Sequence, residues 1–341
     1  MKKLWNGKKI YSESCMFAGA RDAELFFVAE KIEKIENPTL RITYEEGRDY
    51  TFSTGDRKIT LTENSRIPFV SEQVLYPKEN LQIHPNKNAN AIGGAVNGGY
   101  LLFNNEDYFA RHQVEVTYTA VENDFSCELD KQLCRLPRTR KKILNNVPLD
   151  VVLLGDSISE GYNSTKFTKT PPYQPCYIEQ VCAELPAGST FVNMAVGGTG
   201  IQFPRTIYTK WYESSADLMV IAYGMNNFAS MPIEKFISEL DWIIKEKESH
   251  SPDTEYIVVT PMTGNYEWKA TAAGPDAVYA DAMRKYVENS PAKIAAADVQ
   301  TVWKTLLERK KFHDLTGNGV NHPNDYGHRV YASVLLDLLD I

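Results

Sequence analysis

Nowhere in its 341 residues does this chain carry an apolar run approaching the ~20 residues that cross a bilayer as a helix, so no membrane partner is expected. It lacks positive charge as well: 37 Lys and Arg stand against 44 Asp and Glu, and a net charge of −7 excludes a nucleic-acid binder built on a basic stripe. Cysteine is scarce. The five present (Cys15, Cys127, Cys134, Cys176 and Cys182) are odd in number and have no metal-ligand spacing. No other His or carboxylate pair has such spacing, so neither a metal nor a cofactor is expected. Cys127 and Cys134 lie close enough to pair, but free thiols in a reducing compartment are the expectation. Residues 1–9 contain lysines without the apolar core of a signal peptide, which points to a cytoplasmic protein unless a leader has been trimmed. There is no internal repeat and no low-complexity tract. What remains, 43% hydrophobic and 24% charged, is ordinary for a soluble globular protein. The length exceeds one ordinary core and predicts two domains.

Residues 1–140 carry short runs in which apolar and polar residues alternate: 25–28, 40–44, 50–52, 58–62, 100–103 and 114–118. Turn residues such as Glu46-Gly47 and Thr54-Gly55-Asp56 separate them, a pattern that predicts an antiparallel, jelly-roll-like β-sandwich. The Asn- and Gly-rich stretch 88–99 reads as a long loop. A basic cluster from Arg135 to Lys142 reads as a solvated linker between domains. From residue 141 to 341 the rhythm becomes strand, loop, helix. Strands are predicted at 149–154, 190–194, 217–223, 255–260 and 293–297, and helices at 173–185, 203–214, 232–248, 275–289, 299–310 and 325–340. Such alternation implies a mostly parallel sheet covered on both faces, a three-layer α/β/α domain.

Four polar segments close or follow these elements. The β-branched run Val151-Val152-Leu153-Leu154 ends in Gly155-Asp156-Ser157, which delivers a hydroxyl to the carboxyl end of a strand, where open α/β sheets place their ligands. Asn193–Thr199 and Ala222–Asn227 end two further apolar runs, and Gly317–Asn324 supplies a histidine, His322. A hydroxyl nucleophile needs a base, a group that orients the base, and donors for the developing oxyanion. Ser157, His322, the Ser157 and Gly198 backbone amides and the Asn226 side chain fill those needs. Each block alone is common turn chemistry; their joint occurrence at successive strand ends points to one site.

These four blocks resemble the SGNH hydrolases, also called GDSL-like esterases: Gly155-Asp156-Ser157 is similar to the first block, Gly198 within 193–199 to the second, Gly224-Met225-Asn226-Asn227 to the third and His322-Pro323-Asn324 to the fifth. The resemblance covers about residues 147–341. It implies ester hydrolysis through Ser157 with an oxyanion hole from Ser157, Gly198 and Asn226. One departure stands out. Where the family has an aspartate three residues before the histidine, this chain has Gly319. The orienting group is then Asp314, eight residues before His322, or a backbone carbonyl that leaves a Ser-His dyad, and the dyad is preferred. His322 is preferred over His328 because His-Pro-Asn precedes the last helix whereas His328 lies inside it, with Asp325 opening that helix. The base is expected to titrate near neutrality.

A β-sandwich before such a domain resembles the two-domain carbohydrate O-acetylesterases. This implies an acetylated xylan- or mannan-type oligo- or polysaccharide as substrate, with Asp156, Asn227, Tyr266 and Trp268 as candidate substrate-binding residues, the last two by stacking on sugar faces. Two alternatives stay open: a lipid or thioester hydrolase of the same superfamily, and a non-catalytic carbohydrate-binding protein with a relic site.

Overall fold

The computed structural model describes residues 4–5, 7–79, 90–125, 132–228 and 230–341. Its amino-terminal half is built from β1 (Lys9–Ala18), β2 (Asp22–Glu36), β3 (Thr43–Tyr44), β4 (Tyr50–Phe52), β5 (Asp56–Leu61), β6 (Phe69–Val70) and β9 (Gln113–Ala120). They form a seven-stranded sheet of order β4-β5-β2-β9-β1-β6, with β3 on β2 and every pairing antiparallel except β1 with β6. A ribbon of β7 (Ala91–Gly93) and β8 (Tyr100–Leu102) and the short helices α1 (Glu72–Leu75) and α2 (Tyr108–His112) pack on its β1–β6 end through Met16, Val70, Leu102 and Phe109. The stretch 88–99 therefore contains a strand among its described residues.

The carboxyl-terminal half holds a five-stranded parallel sheet, β10 (Asp150–Gly155), β11 (Thr190–Asn193), β12 (Leu218–Ala222), β13 (Glu255–Val259) and β14 (Ile294–Ala297), in the order β11-β10-β12-β13-β14. Four of the five strands are apolar on both faces because both faces are covered. Alternate residues divide between two cores. Val151, Leu153, Val220, Ile257 and Ala295 face α5 (Tyr177–Ala183), α9 (Val299–Leu307) and α11 (Asp325–Leu339). Val152, Leu154, Ile221, Val258 and Ala296 face α6 (Tyr208–Tyr212), α7 (Ile233–His250) and α8 (Pro275–Glu288). The chain is thus a three-layer α/β/α unit preceded by an antiparallel β unit. All five predicted parallel strands are present within a residue or two of their expected limits.

The two halves share one core. The first of those faces continues into Phe17, Leu25, Phe27 and Val114 of the antiparallel sheet. A bulge between Ile10 and Glu13 turns the Glu13 carboxylate inward, where it meets Lys310 at 2.8 Å with both side chains fully buried. Tyr118 Oη and the Phe26 N–H donate to the same carboxylate. The basic cluster is likewise no free linker. Arg135 donates to the carbonyls of Val287, Ser290 and Ile294, and the N–H groups of Arg138 and Thr139 in α3 (Pro137–Leu144) donate to Glu255. Charge in this segment closes the amino-terminal edge of the parallel sheet. Cys15, Cys134, Cys176 and Cys182 are free thiols, and Cys127 lies outside the described residues.

Candidate active site

The turn after β10 is shaped by two short-range constraints. A Cβ on Gly155 would lie 2.5 Å from Ser159 Oγ and 3.2 Å from the Ala222 carbonyl oxygen, so only glycine lets the chain reverse this tightly against β12. Asp156 then caps the one-turn helix α4 (Ser157–Glu160), its carboxylate accepting from the Ile158 N–H at 3.0 Å. Burial pushes that carboxyl up to about 7. Asp156 is therefore a structural cap beneath the serine rather than a group facing bound substrate.

Sheet order makes the three candidate donor segments neighbours, because β11 and β12 flank β10. Hydrogen bonds lock the segments together. The Val196 N–H donates to the Gly155 carbonyl at 3.1 Å, Gly197 N–H to Glu160 at 2.6 Å, and Asn226 Nδ2 to the Thr199 carbonyl at 2.9 Å. That leaves Asn226 one amide hydrogen to spend. Neither the Ser157 nor the Gly198 N–H has an acceptor among the described residues. Asn227 is turned the other way: its side chain holds Ile201 N–H and Gln202, and it is buried, so it braces the loop and does not reach substrate.

Ser157 Oγ lies 2.9 Å from His322 Nε2. The loop that carries His322 is wound around one side chain, Asn318, whose Oδ1 accepts from the Val320, Asn321 and His322 N–H groups. Asn324 caps α11 directly after it. The other ring nitrogen, Nδ1, lies 2.9 Å from Asn163 Oδ1, a residue with no motif spacing to mark it in the sequence. The Asn163 amide cannot be reversed, because its Nδ2 already donates to the carbonyls of Gly317 and Glu106 at 3.1 and 3.2 Å. Oδ1 must face the ring, Nδ1 must carry the hydrogen, and the Nε2 lone pair is left for the serine proton. Asn163 adopts a left-handed backbone, φ 61°, which asparagine tolerates better than most residues. Its loop is tied down where Thr165 donates twice to Asp325 at the start of α11.

Asp314 does not reach the imidazole. Its carboxylate accepts from the Met16 and Lys311 N–H groups at 2.8 and 2.9 Å and lies 3.8 Å from Lys310, work that joins β1 to α10 (Phe312–Leu315). An acid three residues before His322 is sterically forbidden. Gly319 has φ 80°, and a Cβ there would sit 2.5 Å from the Phe109 ring and 2.7 Å from the Leu102 carbonyl oxygen. The amino-terminal ribbon and α2 thus fill the place an aspartate would need. His328 is buried and engaged at both nitrogens, near the Tyr177 N–H and the Tyr162 carbonyl.

Burial, with His328 nearby as a lesser cause, pushes His322 down to about 3 rather than leaving it near neutrality, since the partner on Nδ1 is an uncharged amide. The Tyr162 ring meets His322 edge-on at 5.3 Å between centroids, and a Cβ on Gly197 would lie 3.1 Å from the same ring. Tyr162 therefore walls the space between the base and the donor loop. Trp268 packs on the amino-terminal ribbon, Nε1 donating to the Gly93 carbonyl at 3.3 Å and the backbone bridging Ala95. Tyr266 keeps its ring in solvent, 60% exposed. Among the described residues no group of His, Cys, Asp and Glu could hold a metal ion.

Several solved structures are similar to part of this chain. A catalytic mutant of Axe2, an acetylxylan esterase from Geobacillus stearothermophilus, is 17% identical, with 56% of this chain and 94% of that one covered at a TM-score of 0.43. An alpha/beta hydrolase enzyme from the metagenome of Lake Arreo, Spain, is 20% identical over 56% and 95% at 0.45. A member of the lipolytic protein G-D-S-L family from Veillonella parvula DSM 2008 is 19% identical over 55% and 96% at 0.43. No curated protein matches the sequence. Residues 153–330, which run from the strand before Ser157 into the helix after His322, match the GDSL-like Lipase/Acylhydrolase family, and the chain belongs to that family.

Proposed function

We propose that this protein is a serine esterase that removes acetyl groups from carbohydrate, working through Ser157, His322 and Asn163. The observation that carries the reading is the relay itself: a strand-end serine hydroxyl on His322 Nε2, with the opposite nitrogen held as N–H by an amide that cannot turn over. In the reaction His322 Nε2 takes the Ser157 proton as Oγ bonds to the ester carbon. Negative charge collects on the carbonyl oxygen, toward the amides of Ser157 and Gly198 and the second hydrogen of Asn226. Collapse expels the sugar oxygen, which takes the proton back from His322. Water, deprotonated by the same nitrogen, then cleaves the acetyl-serine and releases acetate.

A short acyl group is supported by the room available. The Tyr162 ring closes the flank between His322 and the 193–199 loop, within 3.1 Å of where a Cβ on Gly197 would lie. Sugar recognition is supported by the exposed rings of Phe167 and Tyr173 on the loop after the nucleophile and of Tyr266 after β13. Release of acetate from acetylated xylan or mannan tests the assignment. Rates on 4-nitrophenyl esters are expected to fall from acetate to octanoate, each added methylene being harder to house. A rise along that series would move the protein to the lipid-hydrolase reading, and no turnover of any ester to the relic reading.

Asn226→Ala is expected to lower kcat on the order of 10² with little change in KM, because its free hydrogen serves the charge of the transition state. An effect confined to KM would make Asn226 a ground-state contact instead.

A further inference from the structure

A second hollow, of about 240 Å³, lies at the junction of the two halves and touches neither Ser157 nor His322. The amino-terminal half contributes Leu75, Tyr76, Leu101, Leu102 and Phe109, and the catalytic half contributes Asn265 to Glu267, Lys311 to His313 and Gly319. We propose that this hollow binds one neutral pyranose ring of a carbohydrate chain, a recognition site separate from the reacting center; the proposal rests on the carbohydrate reading above.

Three observations converge on that ligand. The size is the first: 240 Å³ falls below the roughly 300–1,000 Å³ of pockets for drug-sized molecules and suits a single ring. Second, the walls are amphipathic. Leu101, Phe109 and Phe312 offer an apolar floor for the C–H face of a sugar, and Tyr76 and Tyr266 stand at its edge, both partly in solvent. Third, the polar groups suit hydroxyls rather than a charge. Glu267 accepts from Tyr76 Oη at 3.0 and 3.1 Å and keeps further lone pairs, and Lys311 sets one positive charge against its negative one. A net-charged ligand would meet one like charge for each opposite charge. His313 Nε2 is buried with no hydrogen-bond partner among the described residues, and burial holds its imidazole neutral by pushing its pKa down.

The hollow is also tied to the base. Asn265 Nδ2 donates to the Gly319 carbonyl at 2.9 Å and the Asn265 N–H to Val320 at 2.9 Å, so a ring seated against Asn265 braces the loop that carries His322. Occupancy by one sugar of a chain then anchors the acetylated neighbor for attack. The consequence is selective for oligosaccharide over small esters.

Calorimetric titration of the full chain with unacetylated xylotriose and mannotriose tests the site directly. Saturable binding of at least one is expected, weakened about tenfold by Leu101→Phe, which fills the hollow, and by Glu267→Ala, which removes its acceptors. The ratio of kcat/KM for acetylated oligosaccharide to that for 4-nitrophenyl acetate is expected to drop by about the same factor in both variants. The site is overturned if neither trisaccharide binds the wild type, or if both folded variants keep wild-type binding. Acetate release from polysaccharide alongside either of those results leaves the esterase assignment standing without this site. Failure of acetate release with trisaccharide binding lost in the variants does the reverse.

Discussion

Ser157→Ala and His322→Ala are each expected to lower kcat on 4-nitrophenyl acetate by about 10⁵–10⁶, with far-ultraviolet circular dichroism unchanged. The two side chains form one unit, so the double variant should be little worse than either single one; what survives, about 10³–10⁴ over water, belongs to the oxyanion donors and to binding. His328→Ala serves as the contrast. Both nitrogens of His328 are engaged in packing contacts away from the serine, so its loss should show in thermal stability and not in a collapse of kcat. A folded Ser157→Ala protein that kept a tenth of wild-type activity would place the nucleophile elsewhere. An inactive but folded His328→Ala protein, with His322→Ala active, would exchange the roles of the two histidines.

Asn163→Ala should cost about 10²–10³ in kcat, less than loss of the base but more than loss of any surface residue. In an aspartate triad, conversion to asparagine is damaging because the amide can present N–H to the imidazole and select the wrong tautomer. Here the amide nitrogen is already committed to Gly317 and Glu106, so asparagine enforces the productive tautomer without supplying charge. The signature of that arrangement is in the pH profile. His322, pushed down to about 3, is neutral throughout the range where activity is measured, so kcat/KM should not fall through its titration between pH 7 and 5. Asn163→Asp puts a carboxylate against Nδ1, favors the imidazolium, raises the pKa and brings the acid limb up toward neutrality. Any inflection near pH 7 that persists in Asn163→Asp and vanishes in Asp156→Asn belongs to Asp156, which burial pushes up to about 7. Asp314→Asn should leave the profile in place and lower stability, since its carboxylate holds β1 to α10. Superimposable profiles for wild type and Asn163→Asp, or unaltered kcat in Asn163→Ala, would remove Asn163 from the relay.

Local patterning by itself determined the parallel sheet, the strand-end serine, the histidine before the last helix and the alternation of the amino-terminal strands. Each of these is written in neighboring residues: a β-branched run closing on Gly155-Asp156-Ser157, or His322-Pro323-Asn324 ahead of the last helix. Asn193–Thr199 and Ala222–Asn227 were legible as candidate donor loops because both end apolar runs, and sheet order makes the strands they end the immediate neighbors of β10. The group that orients His322 was not legible. Asn163 lies 159 residues before it, and only the close approach of two loops, pinned by Thr165 on Asp325, joins them. The reason for Gly319 was equally hidden, since the ring and carbonyl that exclude an acid belong to Phe109 and Leu102, more than 200 residues earlier. Asn227, Trp268 and the Arg135 cluster read as polar or aromatic surface, but their hydrogen bonds are satisfied inward, by Ile201, Gly93 and the carbonyls around Ile294. Periodicity specifies which face of an element is buried. Which distant backbone group completes a side chain's hydrogen bonds depends on how separate elements pack, and only the tertiary structure decides that.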